Sequence, residues 1–325
     1  MVAVRQILIV AVDRCQLLDV AGPMDVFDAA TRLTGDGGGY RVRVATVGGR
    51  DIRSDSGLRF GADVALERAR GPLDTLLVAG GLASGRWCAD QALLRHLGRL
   101  AGRAARIASV CSGAELLAAA GLLDRRRVTT HWARCDRLQR RYPLLNVLPD
   151  RIYVRDGNVA TSAGVTAGMD LALALVEEDL GAEVARLTAR WLVLYLRRPG
   201  GQSQFAGRFT PPDTRSAPLR VVVDAVTADP AADHRLDRLA AAASMSERHL
   251  ARLFATELRT TPARFVERVR VESAREALEQ GSTVDTAARH SGFSSAEVMR
   301  RAFLRVLGVG PADYRLRFTT AREAA

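Results

Sequence analysis

Four short apolar runs in the first third of the chain constrain its fold most. Residues 6–12, 41–47, 75–79 and 106–110 are rich in Val, Ile, Leu and Ala, and three of the runs are continuous or nearly so. A strand with one wet face alternates polar and apolar residues, whereas a continuous run suits a strand buried on both faces. Helical patterns lie between or after these runs, at 24–32, 89–103, 114–121, 134–142 and 166–178. Strand–helix alternation at this spacing predicts a parallel sheet covered by helices on both faces. Residues 151–154 and 159–161, joined by Asp156-Gly157-Asn158, read as a hairpin. Gly37-Gly38-Gly39 reads as a loop, with no dinucleotide fingerprint nearby.

The pattern changes after Arg198. Pro199-Gly200-Gly201 is expected to break the preceding helix, and the stretch to Pro218 holds Pro211-Pro212 with much Gly, Ser and Thr, a linker signature. Beyond Leu219 the pattern is helical. A chain of 325 residues suits two domains, so the reading is 1–198, a linker at 199–218, and an all-helical domain at 219–325.

Charge alone locates no partner. The net charge is +11, with every basic side chain an arginine, but residues 1–218 carry 30 Arg against 22 acids and residues 219–325 carry 17 against 14. A polyanion is implied; its site must be found by pattern. Cys15, Cys88, Cys111 and Cys135 form neither a disulfide framework nor a CxxC metal pair. The apolar opening 7–12 is shorter than a signal-peptide core or a membrane span. The reading is a cytoplasmic protein without membrane contact, cofactor or metal.

The helical region contains a weak copy of itself. Leu236-Asp237, Ala240, Met245-Ser246, Phe254, Pro262 and Phe265 recur as Val284-Asp285, Ala288, Phe293-Ser294, Phe303, Pro311 and Tyr314, offset by 48 and then 49 residues. Each unit reads as a short helix, a turn (Ala243-Ser244; Ser291-Gly292) and a second helix opened by a capping Ser, which is Ser246 in the first and Ser294 or Ser295 in the second. With Leu250, Leu253 and Phe254 inward, Arg248, His249 and Arg252 face out. With Val298, Met299 and Phe303 inward, Ala296, Arg300 and Arg301 face out. An exposed arginine can fork onto guanine or neutralise a phosphate.

The motifs LAAAASMSERHLARLFATELRTTPARFVERVRVESAREAL and VDTAARHSGFSSAEVMRRAFLRVLGVGPADYR resemble the paired helix-turn-helix domain of AraC-type transcription regulators. The resemblance implies two recognition helices in successive major-groove turns of double-stranded promoter DNA, roughly 34 Å apart. It places Arg248, His249 and Arg252 on the first helix, and Ser295, Ala296, Glu297 and Arg301 on the second. Ala251 and Ala296 stand where longer polar readers often occur, so base preference does not transfer.

In the first domain the most chemical stretch is Ile107-Ala108-Ser109-Val110-Cys111-Ser112-Gly113-Ala114-Glu115, a strand running into a helix. A thiol in that turn is expected to sit at a helix N-terminus with a lowered pKa. Gly80-Gly81 are expected to offer amide donors to an anion at the same sheet edge, and His131 is a candidate base. Asp19 is read either as a pocket residue or as the cap of a helix after Gly22-Pro23.

LLDVAGPMDVF, VAGG, SVCSGAELLAAAGLLDRRRVTTHW and TSAGVTAGMDLAL resemble the DJ-1/PfpI branch of the class I glutamine amidotransferase-like fold over about residues 4–198. With the C-terminal match, the whole chain is similar to the GlxA-type AraC regulators. The resemblance implies a flavodoxin-like parallel sheet sandwiched by helices, then two helix-turn-helix motifs. It also implies a non-enzymatic transcription regulator whose N-terminal domain senses a small, nitrogenous metabolite or forms a homodimer, with RNA polymerase a further partner. Its candidate pocket is Asp19, Gly80, Gly81, Cys111, Ser112 and His131. The alternative is a cysteine-dependent enzyme, a thiol hydrolase or an isonitrile hydratase-like protein. That similarity rests on Asp19 and Cys111, with Ser112 replacing the Thr those enzymes carry.

Overall fold

The computed structural model describes residues 4–35, 38–207 and 214–319. It falls into two compact units, Met1–Arg198 and Pro199–Ala325. In the first, strands β1 (Arg5–Val10), β2 (Tyr40–Thr46), β3 (Val64–Ala65), β4 (Leu73–Val78), β5 (Ala104–Ser109), β6 (Tyr153–Asp156) and β7 (Val159–Ser162) form one sheet in the order β6-β7-β5-β4-β1-β2-β3. Every neighbouring pair is parallel except β6–β7, the expected hairpin, whose Gly157 takes a φ of 61°.

Alternation along β1 shows why its apolar run is continuous. Ile7 and Ile9 pack into one core with α1 (Leu17–Thr34), α6 (Ala167–Leu180) and α7 (Ala182–Trp191). Leu8 and Val10 pack into the opposite core with α3 (Gln91–Ala101), α4 (Gly113–Ala119) and α5 (Cys135–Arg141). A four-residue helix, α2 (Ser84–Trp87), follows β4. The parallel sheet flanked by helices on both faces is thus the one that strand–helix alternation predicts. The strand order reverses between β1 and β4, so the crevice favoured for ligands in such sheets lies at their carboxyl ends.

Three readings of local structure are corrected. Helix α1 starts at Leu17, well before the expected 24, with Pro23 inside it. A proline there removes the hydrogen bond to the carbonyl four residues back and crowds that carbonyl, yet the helix continues through it to Thr34. Asp19 therefore lies within the first turn and caps nothing. Second, α7 ends at Trp191 rather than at Pro199, and Val193 follows with a φ of 54°. Third, the 199–218 stretch is not loose linker over its first part. Residues 202–205 form a 3-10 turn with Gln202 and Gln204 buried. Residues 208–213, which hold Pro211-Pro212, lie outside the described residues, as does Gly37 of the glycine run.

The second unit is helical: α8 (Ala217–Ala228), α9 (Leu236–Ala242), α10 (Glu247–Glu257), α11 (Pro262–Glu279), α12 (Val284–His290), α13 (Ala296–Leu307) and α14 (Pro311–Phe318). It has two cores. Leu219, Val222 and Val226 of α8 gather with Leu250, Phe254 and the Phe265–Val269 half of α11. Val271, Ala274 and Leu278 of the other half of α11 gather with Met299, Phe303 and Tyr314. Ala240 and Ala288 are buried where the paired helices approach. Both turns use a left-handed residue, Ser244 at φ 52° and Gly292 at φ 76°. A Cβ on Gly292 would fall 2.6 Å from Ala231 Cα, so the second turn admits only glycine without rearrangement.

Candidate functional site

The turn after β5 holds Cys111 in a left-handed conformation, φ 56°. Its amide donates to the Ala163 carbonyl at 2.9 Å, and its carbonyl accepts from Thr130 Oγ1 at 2.7 Å. Both contacts fix an uncommon backbone geometry that a non-glycine residue adopts only when its surroundings impose it. Gly113 makes the turn possible, since a Cβ there would lie 2.1 Å from the Val78 carbonyl oxygen.

The ends of β1, β4 and β5 bring Asp19, Gly80, Gly81, Cys111 and Ser112 together. The Gly80 amide donates to Asp19 Oδ2 at 2.9 Å. The Gly81 amide donates to Ser112 Oγ at 2.9 Å, while that hydroxyl is 2.8 Å from the Gly81 carbonyl oxygen and 2.9 Å from Ser84 Oγ. Both glycine amides are consumed. The expectation that they form an anion hole is therefore corrected, because neither N–H points into the site unpaired.

Electrostatics also reverse an expectation. Cys111 is only 9% exposed, and burial, reinforced by Asp19, pushes its thiol up to about 12 despite opposing hydrogen bonds from Ser112 and Val165. The helix it precedes is seven residues long, too little to offset desolvation beside a carboxylate. Burial likewise raises the fully buried Asp19 carboxyl to about 7, against the lowering effect of the Gly80 and Val165 amides. Asp19 Oδ1 is buried without a hydrogen-bond partner.

His131 is not an activating base in this geometry. Its Nδ1 accepts from the Ala133 amide at 3.3 Å, and burial followed by Arg134 lowers its pKa, which keeps the ring neutral. No hydrogen bond joins it to Cys111 among the described residues. The ring instead lies against Gly164, where a Cβ would be 2.0 Å from His131 Cδ2. Two site features escaped the sequence reading: Val165, at φ 52°, and Arg198, which pairs with Asp170 of α6. A single sequence carries no signal for either, because a left-handed Val and a distant ion pair depend on tertiary packing. No cluster of three metal-ligating side chains occurs among the described residues, and no helix is long and apolar enough to cross a membrane.

In the second unit, Arg248, His249 and Arg252 are exposed on α10, and Arg300 and Arg301 are exposed on α13. Ser246 caps α10 by accepting from the His249 amide, and Ser295, rather than Ser294, caps α13 by accepting from the Val298 amide. Ser295 is thus engaged in the helix itself. Arg300 forks onto Glu297 at 2.7 and 2.9 Å, and Arg301 Nε lies 3.8 Å from the same carboxylate. Ala296, expected to face out, is half-buried against the second core.

Comparison with known proteins agrees with this two-part organisation. Residues 5–178 match the DJ-1/PfpI family, and residues 239–317 match a helix-turn-helix domain. The chain is 33% identical to the HTH-type transcriptional regulator GlxA of Rhizobium meliloti, covering 86% of both proteins. It is 36% identical to the isonitrile hydratase of Pseudomonas putida over 53% of this chain and 71% of that protein. Among solved structures, a THiJ/PfpI family protein from Pseudomonas syringae aligns with a TM-score of 0.52 at 27% identity, over 70% of this chain and 88% of that one. The chain belongs to the DJ-1/PfpI family, in the branch of HTH-type transcriptional regulators that join this domain to a helix-turn-helix domain.

Proposed function

We propose that the chain is a sequence-specific DNA-binding transcription regulator whose first unit binds a small-molecule effector at the Asp19–Cys111 site. One observation carries the DNA half: two helix-turn-helix units share the single helix α11, and each exposes arginines on its second helix. That geometry suits two major-groove contacts on one duplex.

The effector half rests on the chemistry of the site. A thiol raised to about 12, with no hydrogen-bonded base, is a poor nucleophile at neutral pH. A buried carboxyl poised near 7, with one oxygen unbonded, is a polar anchor for an amine or amide nitrogen of a nitrogenous metabolite. Homodimerisation through the first unit is part of the proposal, supported by the exposed apolar side chains Leu187, Trp191 and Tyr195 at and after α7, the last two 64% and 74% exposed.

The identity to isonitrile hydratase favours a second reading, catalysis at Cys111. The deciding experiment pairs selection of bound duplexes from a random pool with turnover assays on isonitrile, amide and glyoxal-type compounds, all with the purified full chain. Recovery of a consensus duplex without turnover supports regulation. Turnover abolished by Cys111→Ser, with no consensus recovered, supports the enzyme.

A further inference from the structure

We propose that Arg270 is a positioning residue for DNA recognition. It locks the α8–α9 loop of the first helix-turn-helix half against the turn of the second, and so holds the two recognition helices at one mutual angle. Every contact involved lies within the second unit, and the assignment rests on reading that unit as the DNA-binding one.

Helix α11 alone would be a weak joint. It carries Val269 into the first core and Val271 into the second, so the boundary between the halves falls at residue 270. Long helices are rarely straight, and a bend or twist at this point would turn one recognition helix relative to the other. Arg270 stands at that boundary. Its half-buried guanidinium donates through Nε to the Pro230 carbonyl at 2.9 Å and through Nη2 to the Ala232 carbonyl at 3.0 Å. Those carbonyls belong to the 229–235 loop between α8 and α9, two helices of the first core. The loop is itself ordered by Asp229, whose Oδ1 accepts from the Ala231 amide at 3.1 Å and whose carbonyl accepts from the Ala232 amide at 3.2 Å. A planar guanidinium holding two carbonyls fixes direction as well as distance, which the point charge of a lysine does not.

The same loop meets the second half. A Cβ on Gly292, in the turn between α12 and α13, would lie 2.6 Å from Ala231 Cα, 2.9 Å from the Pro230 carbonyl oxygen and 3.1 Å from Arg270 Nε. Loop, turn and guanidinium therefore converge at one point, and only the missing side chain of glycine lets them. The turn is tied to α11 as well, since buried Ser291 donates from Oγ to Ser273 Oγ at 3.1 Å. The two halves are thus joined by two routes, the shared helix and this strut, and a joint braced at two points resists both bending and twisting. With Nε and Nη2 engaged inside the unit, Arg270 acts through the recognition helices and not as a DNA contact. Its contribution is preorganisation: once one recognition helix has docked, less ordering remains for the other.

The test uses the full chain as wild type, Arg270→Met (which keeps the apolar stem) and Arg270→Lys. Each is titrated with a duplex selected by wild type, either intact or with one half scrambled. Restoring the second half should tighten wild-type binding about 100-fold or more, and Arg270→Met binding only about tenfold or less. Duplexes with one intact half should bind all three proteins within about twofold, with the salt slope unchanged. Without DNA, hydrogen exchange in peptides covering 229–235 and 288–294 should quicken severalfold in Arg270→Met, while peptides from the centres of α10 and α13 keep their rates. Arg270→Lys, able to hold one carbonyl, should fall between the other two, and it carries the comparison if the Met variant does not fold. An unchanged gain from the second half overturns the proposal, as does exchange that quickens throughout the second unit. Weaker binding to single halves, or a shallower salt slope, makes Arg270 a DNA contact and overturns it too. If wild type selects no duplex, the DNA reading itself fails, while the exchange arm still decides whether the strut exists.

Discussion

Ser112 Oγ engages both ends of one residue, accepting from the Gly81 N–H at 2.9 Å and donating toward the Gly81 carbonyl at 2.8 Å. The serine after the cysteine is thus a clasp between the β4 and β5 loops. Ser112→Ala leaves a buried amide without an acceptor and should cost about 1–3 kcal/mol. Urea unfolding of the two proteins at one pH checks this; a change below about 0.5 kcal/mol shows that water or a shifted loop satisfies Gly81.

Asp19 makes stability depend on pH in a defined direction. Its carboxyl is raised from the ordinary 3.8 to about 7, so the folded state holds a proton that the unfolded state has released. Its contribution is fully present below pH ~4, is lost as pH rises toward 7, and is then constant. One pKa unit corresponds to ~1.4 kcal/mol, so a loss of a few kcal/mol is expected across that window. Asp19→Asn should flatten this segment of the stability profile and be the more stable protein at pH 8. A wild-type profile that rises from pH 4 to 7 by the same amount contradicts a neutral buried Asp19.

Cys111 should be sluggish toward iodoacetamide. A thiol at about 12 is almost wholly protonated at pH 7, and Cys15, with burial and nearby Asp19 raising it to about 12, is no better placed. Mass mapping should find all four buried cysteines alkylated slowly in the folded protein and rapidly in urea. Preferential labelling of Cys111 within minutes at pH 7 would show that the thiolate is stabilised by something this geometry lacks.

On the DNA side the arginines should not be equivalent. Arg300 is already forked onto Glu297, whereas Arg252 is exposed on α10. Arg252→Ala should weaken binding to a selected duplex about 5- to 150-fold, the usual range for losing a base-reading arginine. Arg300→Ala should lose less, since the wild-type side chain must first leave its carboxylate. Titrations at two salt concentrations separate the cases: a base reader changes specificity, and a phosphate contact mainly changes the salt slope.

The sequence exposed what depends on local pattern and hid what depends on distant packing. The continuous runs at 6–12 and 75–79 identify doubly buried strands because burial on both faces is written into every residue. The helix-turn-helix pair was legible through its small residues, turns and capping serines. The failures share a different cause. A lowered thiol pKa was inferred from Cys111's place before a helix, yet desolvation by the surrounding core and the nearby Asp19 charge decide it. Gly80 and Gly81 looked like free donors because their acceptors, Asp19 and Ser112, lie 61 and 31 residues away. Ala296 looked exposed because helical periodicity cannot place one residue at the edge of a half-buried stripe.

Helix α11 has a consequence for the promoter as well as for the protein. Its 18 residues contribute side chains to both cores, so the two reading heads are set on one stiff ruler about 27 Å long. A duplex advances one turn in about 10.5 base pairs, so a single inserted pair swings the far contact by roughly 35° around its axis. A rigid ruler cannot follow that rotation. Spacing between the two halves of an operator is therefore under a mechanical constraint as strict as the identity of any base within them.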